Sequence, residues 1–236
     1  MLLPNISQYE SKRLHYGKYL HKLVLSNTLN HYFRTELQKH ETLSHVREKL
    51  DELTELYRKN EPLVRPIFRS EVLVPTDDYF DALDLYALLK NNVDYKIRVE
   101  QYHRLTVYSN NYNLLVKIAN KLRNKKSMEF HTPSPNNVSA LLENEKIIIV
   151  DTPPQFNLKV HFNNKKVDRS FAVWCKNNTD KCKIGRVALE SVESYGYLNN
   201  YYMYIRDEKV LNLILLLIGN NIRSVEKLVY KDDIDK

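Results

Sequence analysis

A chain of 236 residues with 43% hydrophobic and 28% charged side chains has the apolar content for one large domain or two small ones, and too much for disorder. Its formal charge of +7 and pI near 9.1 make polyanions the natural partners: nucleic acid, an anionic membrane surface or an acidic protein. Only four glycines occur, about 2% against a usual 7%, at positions 17, 185, 196 and 219, which excludes glycine-rich phosphate loops and with them P-loop and Rossmann chemistry.

Cys175 and Cys182 are too few for a disulfide framework, so the composition fits a reducing compartment, and a cytoplasmic location is expected. Residues 1 to 19 carry charges where a signal peptide needs an apolar core. The longest apolar run, "VLNLILLLIG" from Val210, is about half of a bilayer span and is expected to be a buried helix rather than a membrane anchor. The surplus of Asn, Lys, Tyr and Ile points to an AT-rich genome, such as phages, other viruses and low-GC bacteria have.

In chain order, "YGKYLHKLVL" (16–25) reads as a strand, with a helical reading close behind it. Residues 36 to 60 form the clearest helix, because Leu43, Val46, Leu50, Leu53 and Tyr57 step by three and four into one apolar seam that docks on the rest of the protein. "PLVRPIFRSEVLVP" is extended, since its prolines forbid a continuous helix, and a weak domain boundary falls near residue 70. A helix then starts behind an N-cap at Thr76, with Asp77 and Asp78 in its first turn and an apolar face through Phe80, Leu83, Leu85 and Leu88. Residues 1–70 would thus be a basic, Tyr-rich N-terminal region with its helix, and residues 71–236 an α+β domain.

Within that domain one rhythm occurs twice. "LTVYSNNYNLLVKIANKL" (105–122) returns ninety-six residues later as "MYIRDEKVLNLILLLIG": Tyr108 falls on Tyr204, Asn111 on Asp207, Leu115 on Leu211 and Ile118 on Ile214. With "YKIRVE" and "SMEFH" around the first and "RVALESV" and "SVEKLVY" around the second, both read as β-β-α-β units, about 94–131 and 183–231. Between them lie the helix "NNVSALLENE", the strands "KIIIV" and "FNLKVHF", and a short helix near Phe171 to Lys176. The expected fold class is α+β, with mainly antiparallel sheets, helices packed on one face, and a duplicated, ferredoxin-like pair among the arrangements that fit.

Three basic regions are candidates for nucleic-acid contact. The first 34 residues hold Lys12, Arg13, Lys18, Lys22 and Arg34 against Glu10, interleaved with Tyr9, Tyr16, Tyr19, Tyr32 and Phe33. Cations neutralise phosphates while rings stack on exposed bases, so this pattern suits single strands. "KIANKLRNKK" adds Lys117, Lys121, Arg123, Lys125 and Lys126 with no acid, either as a phosphate patch or as a helix end whose cations complement the dipole. From Lys159 to Arg186 eight cations, Lys165, Lys166 and Arg169 among them, oppose Asp168 and Asp180, with Phe171 and Trp174 inside; the lone Trp is expected in the core.

Catalytic chemistry is less well supported. Cys175 and Cys182 are spaced too widely for a zinc knuckle, and His131 or His161 would complete a site only by a fortunate fold. Asp77, Asp81 and Asp84 share a helical face and Asp151 ends an apolar strand, yet no second acid stands at diagnostic spacing. No catalytic residue, metal or cofactor is assigned. The expectation is a basic intracellular protein, phage or viral in source, that binds single-stranded nucleic acid or a nucleoprotein complex in genome replication, expression or packaging. The rival is a structural or assembly protein, a homo-oligomer among the options, whose apolar seam and Tyr-rich surfaces meet protein partners.

Overall fold

The structure is a computed structural model that describes residues 6–34, 39–67, 70–125 and 127–234. It is α+β and divides into two compact units between Ser134 and Pro135. The boundary expected near residue 70 falls inside the first unit, because Leu63 and Val74, on either side of it, enter the same core as the helices that follow. Among the described residues no helix is long and apolar enough to cross a membrane.

The first unit contains β1 (Ser7–Glu10), β2 (His21–Ser26), α1 (Lys39–Arg58), β3 (Val64–Ile67), β4 (Ser70–Leu73), α2 (Thr76–Leu89), β5 (Lys96–Val99), β6 (Arg104–Ser109), α3 (Tyr112–Lys121) and β7 (Glu129–Thr132). Its main sheet has the order β1-β7-β2-β6-β5, antiparallel except for the outer β1–β7 pair; β3 and β4 form a separate hairpin. Alternation along the strands sends Leu23, Leu25, Leu105, Val107 and Phe130 to the helix side, where they meet the α1 seam of Val46, Leu50 and Leu53 and the buried residues of α2 and α3. The seam is thus buried within its own unit, although Tyr57 at its end is 45% exposed. The first four helix residues expected, from 36, lie partly outside the described residues. Position 75, not Thr76, caps α2: the Pro75 carbonyl accepts from Tyr79 N–H at 3.1 Å, and no side chain caps the helix.

The second unit contains α4 (Val138–Glu143), β8 (Ile147–Val150), β9 (Leu158–Phe162), α5 (Ser170–Asn177), β10 (Cys182–Ile184), α6 (Arg186–Tyr195), β11 (Tyr202–Ile205), α7 (Glu208–Ile218) and β12 (Ile222–Tyr230). Its sheet order, β8-β12-β9-β11-β10, matches that of the first sheet strand for strand, with the same pairing senses: β8–β12 parallel, the rest antiparallel. Val160, Phe162, Met203 and Ile205 face a core completed by Phe171, Ala172 and Cys175 of α5, Val192 of α6, and Val210 and Ile214 of α7.

The paired β-β-α-β segments form differently from the expectation. In each, the last strand is separated from the preceding hairpin by an earlier strand, β2 or β9. The run "RVALESV" is helix α6, not a strand: Ala188 and Val192 stand one turn apart on the buried face, Arg186 bridges Glu190 at 2.6 Å, and Gly196 ends the helix at φ 70. Its strand role passes to the three residues of β10. The shared order does not by itself make the units copies, since two helices and a hairpin connect β2 to β5 where α5 alone connects β9 to β10.

The helix α7 corrects another expectation. Only Val210 and Ile214 are buried; Leu213, Leu215, Leu216 and Leu217 are 46%, 43%, 83% and 43% exposed. The run is apolar on all sides, but its own unit covers one side only.

Candidate nucleic-acid interface

Because odd and even strand positions alternate between faces, the helix-packed residues of the second sheet leave Lys159, His161, Lys183, Tyr202 and Tyr204 on the opposite side. The register places Lys183, Tyr204, Lys159 and Glu226 opposite one another in one row across β10, β11, β9 and β12. Lys159 Nζ stands 4.3 Å from the centroid of the Tyr202 ring and 5.8 Å from that of Tyr204. The two tyrosine rings meet edge to face at 5.6 Å, and His161 lies 5.9 Å from Tyr202 while its Nε2 contacts Glu226 at 2.7 Å. Tyr202 is 47% exposed. Partial burial, then the neighbouring Tyr202 and Glu226, raise the Tyr204 hydroxyl above its ordinary value, which favours its neutral form. A groove of about 270 Å³ opens beside them, lined by Lys183, Arg186, Tyr201, Tyr202 and Tyr204.

The first sheet carries a matching row, Lys96, Tyr108, Lys22, His131 and Tyr9. Here the tyrosine is covered. Tyr108 is 6% exposed beneath Tyr16 at 5.0 Å, His15 at 5.5 Å and Tyr19 at 6.4 Å. Burial first, then the neighbouring Tyr16, push its hydroxyl up to about 12. Burial, Lys22 and His131 together push His15 down to about 4, and burial also lowers Lys22 and His131. Tyr9 stacks on His131 at 4.8 Å. Lys96 and Lys22 thus flank Tyr108 on this face, which its own loop partly closes over.

The residues singled out from sequence are dispersed. Lys22 lies on the open face of the first sheet; Lys18 bridges Asp94 at 3.3 Å, and Lys12 and Arg13 sit in the covering loop. Lys117, Lys121, Arg123 and Lys125 belong to α3 and the turn after it, on the helix side of the same sheet. Lys121 faces Asp84 at 3.7 Å, and Arg123 reaches Asp84 at 3.0 Å and Asp81 at 3.4 Å. Lys125 donates to the carbonyls of Ala119 and Asn120 at the α3 C-terminus and so caps the helix. Lys126 lies outside the described residues. Lys165 and Arg169 donate to the carbonyls of Asn220 (3.4 Å) and Ser194 (3.2 Å), and Lys166 makes an isolated strand bridge with Tyr197. Lys159, His161, Lys183, Tyr202 and Tyr204 are the residues that converge. Their trace in sequence is the alternation of "LKVHF" and "YMYI", which names the face but not the partner strand.

The other candidate chemistries find structural employment. Asp81, 3% exposed, accepts from the backbone N–H groups of Arg123 at 2.7 Å and Asn124 at 3.0 Å, and Asp78 from that of Thr28 at 2.8 Å. These two acids tie α2 to neighbouring chain rather than facing solvent. Asp151 is exposed just beyond β8. Cys175 and Cys182 are buried free thiols; hydrogen bonding to Cys182 and burial push the Cys175 thiol up, which disfavours the thiolate. Trp174 packs against the core, parallel to Phe171 at 6.2 Å. Among the described residues no group of three or more His, Cys, Asp or Glu side chains is placed to hold a metal. Compared with known proteins, the chain matches no family model, no curated protein and no solved structure, so the reading of this face stands on its own geometry.

Proposed function

We propose that the protein binds single-stranded nucleic acid on the helix-free face of its second sheet. The observation that carries the reading is the row Lys183–Tyr204–Lys159 with Tyr202 beside it: two tyrosine rings on β11 flanked by a cation on the strand to either side. Exposed bases stack on such rings and phosphates meet the lysines, which is how four-stranded sheets and other open β surfaces hold single strands. The groove beside Arg186 extends the surface at the β10 edge. A role in genome replication, expression or packaging belongs to the same proposal.

The test is fluorescence anisotropy with a labelled oligothymidylate and its oligouridylate counterpart at about 50 mM salt, where phosphate contacts are strongest. Stacking is worth about 1–3 kcal/mol per base, so Tyr204→Ala and Tyr202→Ala should each weaken binding by about 5- to 150-fold. Lys159→Glu should weaken it and flatten its salt dependence. Binding that ignores Tyr202 and Tyr204, or no binding at all at that salt, overturns the proposal.

A second reading, self-association, is favoured by the outward leucines of α7, since a helix apolar on every side is normally covered. Light scattering decides it: an oligomer that Leu216→Glu dissolves supports this reading, and a monomer at all concentrations removes it.

A further inference from the structure

We infer that the ring of Tyr16 occupies the place of a nucleobase on the first sheet, so that displacing the 12–19 loop opens a second single-strand site over β2, β5 and β6. The inference rests on reading the second sheet as a base platform. Lys96, Tyr108 and Lys22 hold the register positions that Lys183, Tyr204 and Lys159 hold in the second unit. What differs is the material lying on the tyrosine. Beside Tyr204 stand the edge of Tyr202 and the Lys159 ammonium; on Tyr108 lie Tyr16, edge-on at 87°, and behind it His15 and Tyr19.

The groups around Tyr16 treat it as a ligand. Lys96 Nζ stands 4.5 Å over its ring, and the Arg98 guanidinium, paired with Glu100 at 3.1 Å, interacts with its hydroxyl. An aromatic neighbour and a cation over the ring are what a pyrimidine seated edge-on against Tyr108 would receive. Tyr16 is 53% exposed, so it lies on the surface as a cover and is no part of the core, whereas Tyr108 beneath it is closed off.

The loop that delivers the ring is built to turn, not to prefer tyrosine. Lys18 N–H donates to the His15 carbonyl at 3.1 Å, and the two residues between, Tyr16 and Gly17, have φ of 57° and 63°. Such a turn favours Asn at its first central position, and a tyrosine there carries a backbone cost. The seated ring is thus held against local preference by its contacts with Tyr108, Lys96 and Arg98. One exposed ion pair, Lys18 with Asp94, helps to fix the loop and is weak.

Tyr16→Asn removes the ring while keeping the turn. The probe is a fluorescein-labelled oligothymidylate of about six nucleotides, near the short end of single-strand site sizes, with stoichiometry from calorimetry and folding checked by circular dichroism. The expected results are one oligonucleotide per wild-type chain and two per Tyr16→Asn chain. Tyr204→Ala should weaken binding by about 5- to 150-fold and Tyr16→Asn/Tyr204→Ala should recover it, and adding Lys96→Glu, at an exposed position, should abolish the recovery. A Tyr16→Asn chain that still binds one, with no recovery in the double variant, overturns the inference while the second-sheet platform stands. Failure of every variant and of the wild type overturns both, and binding seen only when Tyr16 is removed supports the covered site against the open one.

Discussion

Replacing Asp81 by alanine tests whether the acid cluster of α2 is an anchor or a reactive group. Its carboxylate accepts two backbone N–H bonds, from Arg123 at 2.7 Å and Asn124 at 3.0 Å, with the Arg123 guanidinium at 3.4 Å as a third partner. A hydrogen bond to a charged group contributes about 1.5–3 kcal/mol, and water reaching the turn at 123–124 argues for the lower figure in each case. The Arg123 side chain is 42% exposed, and its ion pair is screened enough to add little. Two bonds at the lower figure give a loss of about 3 kcal/mol, a large share of the 5–15 kcal/mol typical of a domain. With a urea slope of about 2 kcal/mol/M, the midpoint of unfolding of the first unit should fall by about 1.5 M. Asp81→Asn, which keeps one acceptor, should lose less. A shift below about 0.5 M, or loss of a metal-dependent activity without loss of stability, would falsify the anchoring role.

Further outcomes follow from the same geometry. His15 and His31 are each lowered from 6.5 to about 4, chiefly by burial and then by Lys22 and Arg65 respectively, so the unfolded chain takes up their protons first. Their contribution to stability is therefore complete above pH 6.5 and lost as pH falls towards 4; urea midpoints measured across that range should flatten in His15→Gln and His31→Gln. Asn111 and Asp207 cap α3 and α7 through N–H groups three residues on, each at 3.0 Å, and Asn111→Ala and Asp207→Ala should each cost about 1 kcal/mol in equilibrium unfolding. Gly196 sits at φ +70 with the Val167 carbonyl 3.2 Å from where a Cβ would lie, so Gly196→Ala should cost about 1–2 kcal/mol, and a neutral result would mean that the α6 terminus relaxes freely.

Local signals carried much of the fold. The matched positions Leu115/Leu211 and Ile118/Ile214 marked α3 and α7, because such a seam is set within a few residues; the Asn111 and Asp207 caps are a finding of the structure. The α6 run failed because Val187, Leu189 and Ser191 alternate like a strand; Gly196 just past its end was the stronger sign. Sheet order was out of reach, since β1 pairs with β7 across more than a hundred residues and β2 inserts between β7 and β6. The candidate site was hidden for the same reason. Lys183, Tyr204 and Lys159 are scattered in the chain and become neighbours only through register, whereas the dense runs around Lys121 and Lys165 drew attention by proximity in sequence and are largely engaged with carbonyls and carboxylates.

The row on the second sheet is finite, and its last member has the wrong sign for a phosphate. Lys183 and Lys159 lie two strand spacings apart, about 10 Å, and the next position across is Glu226, already engaged with His161. A polyanion laid along the row therefore meets cations on the first and third strands, β10 and β9, and repulsion at the fourth, so its backbone has to lift off before β12. The footprint should be short, on the order of the two or three bases that a single sheet of this width stacks, and it should have an end as well as a middle. Glu226→Lys would extend the cationic track by one strand, and under the proposed function it should lengthen the protected segment in a nuclease footprint.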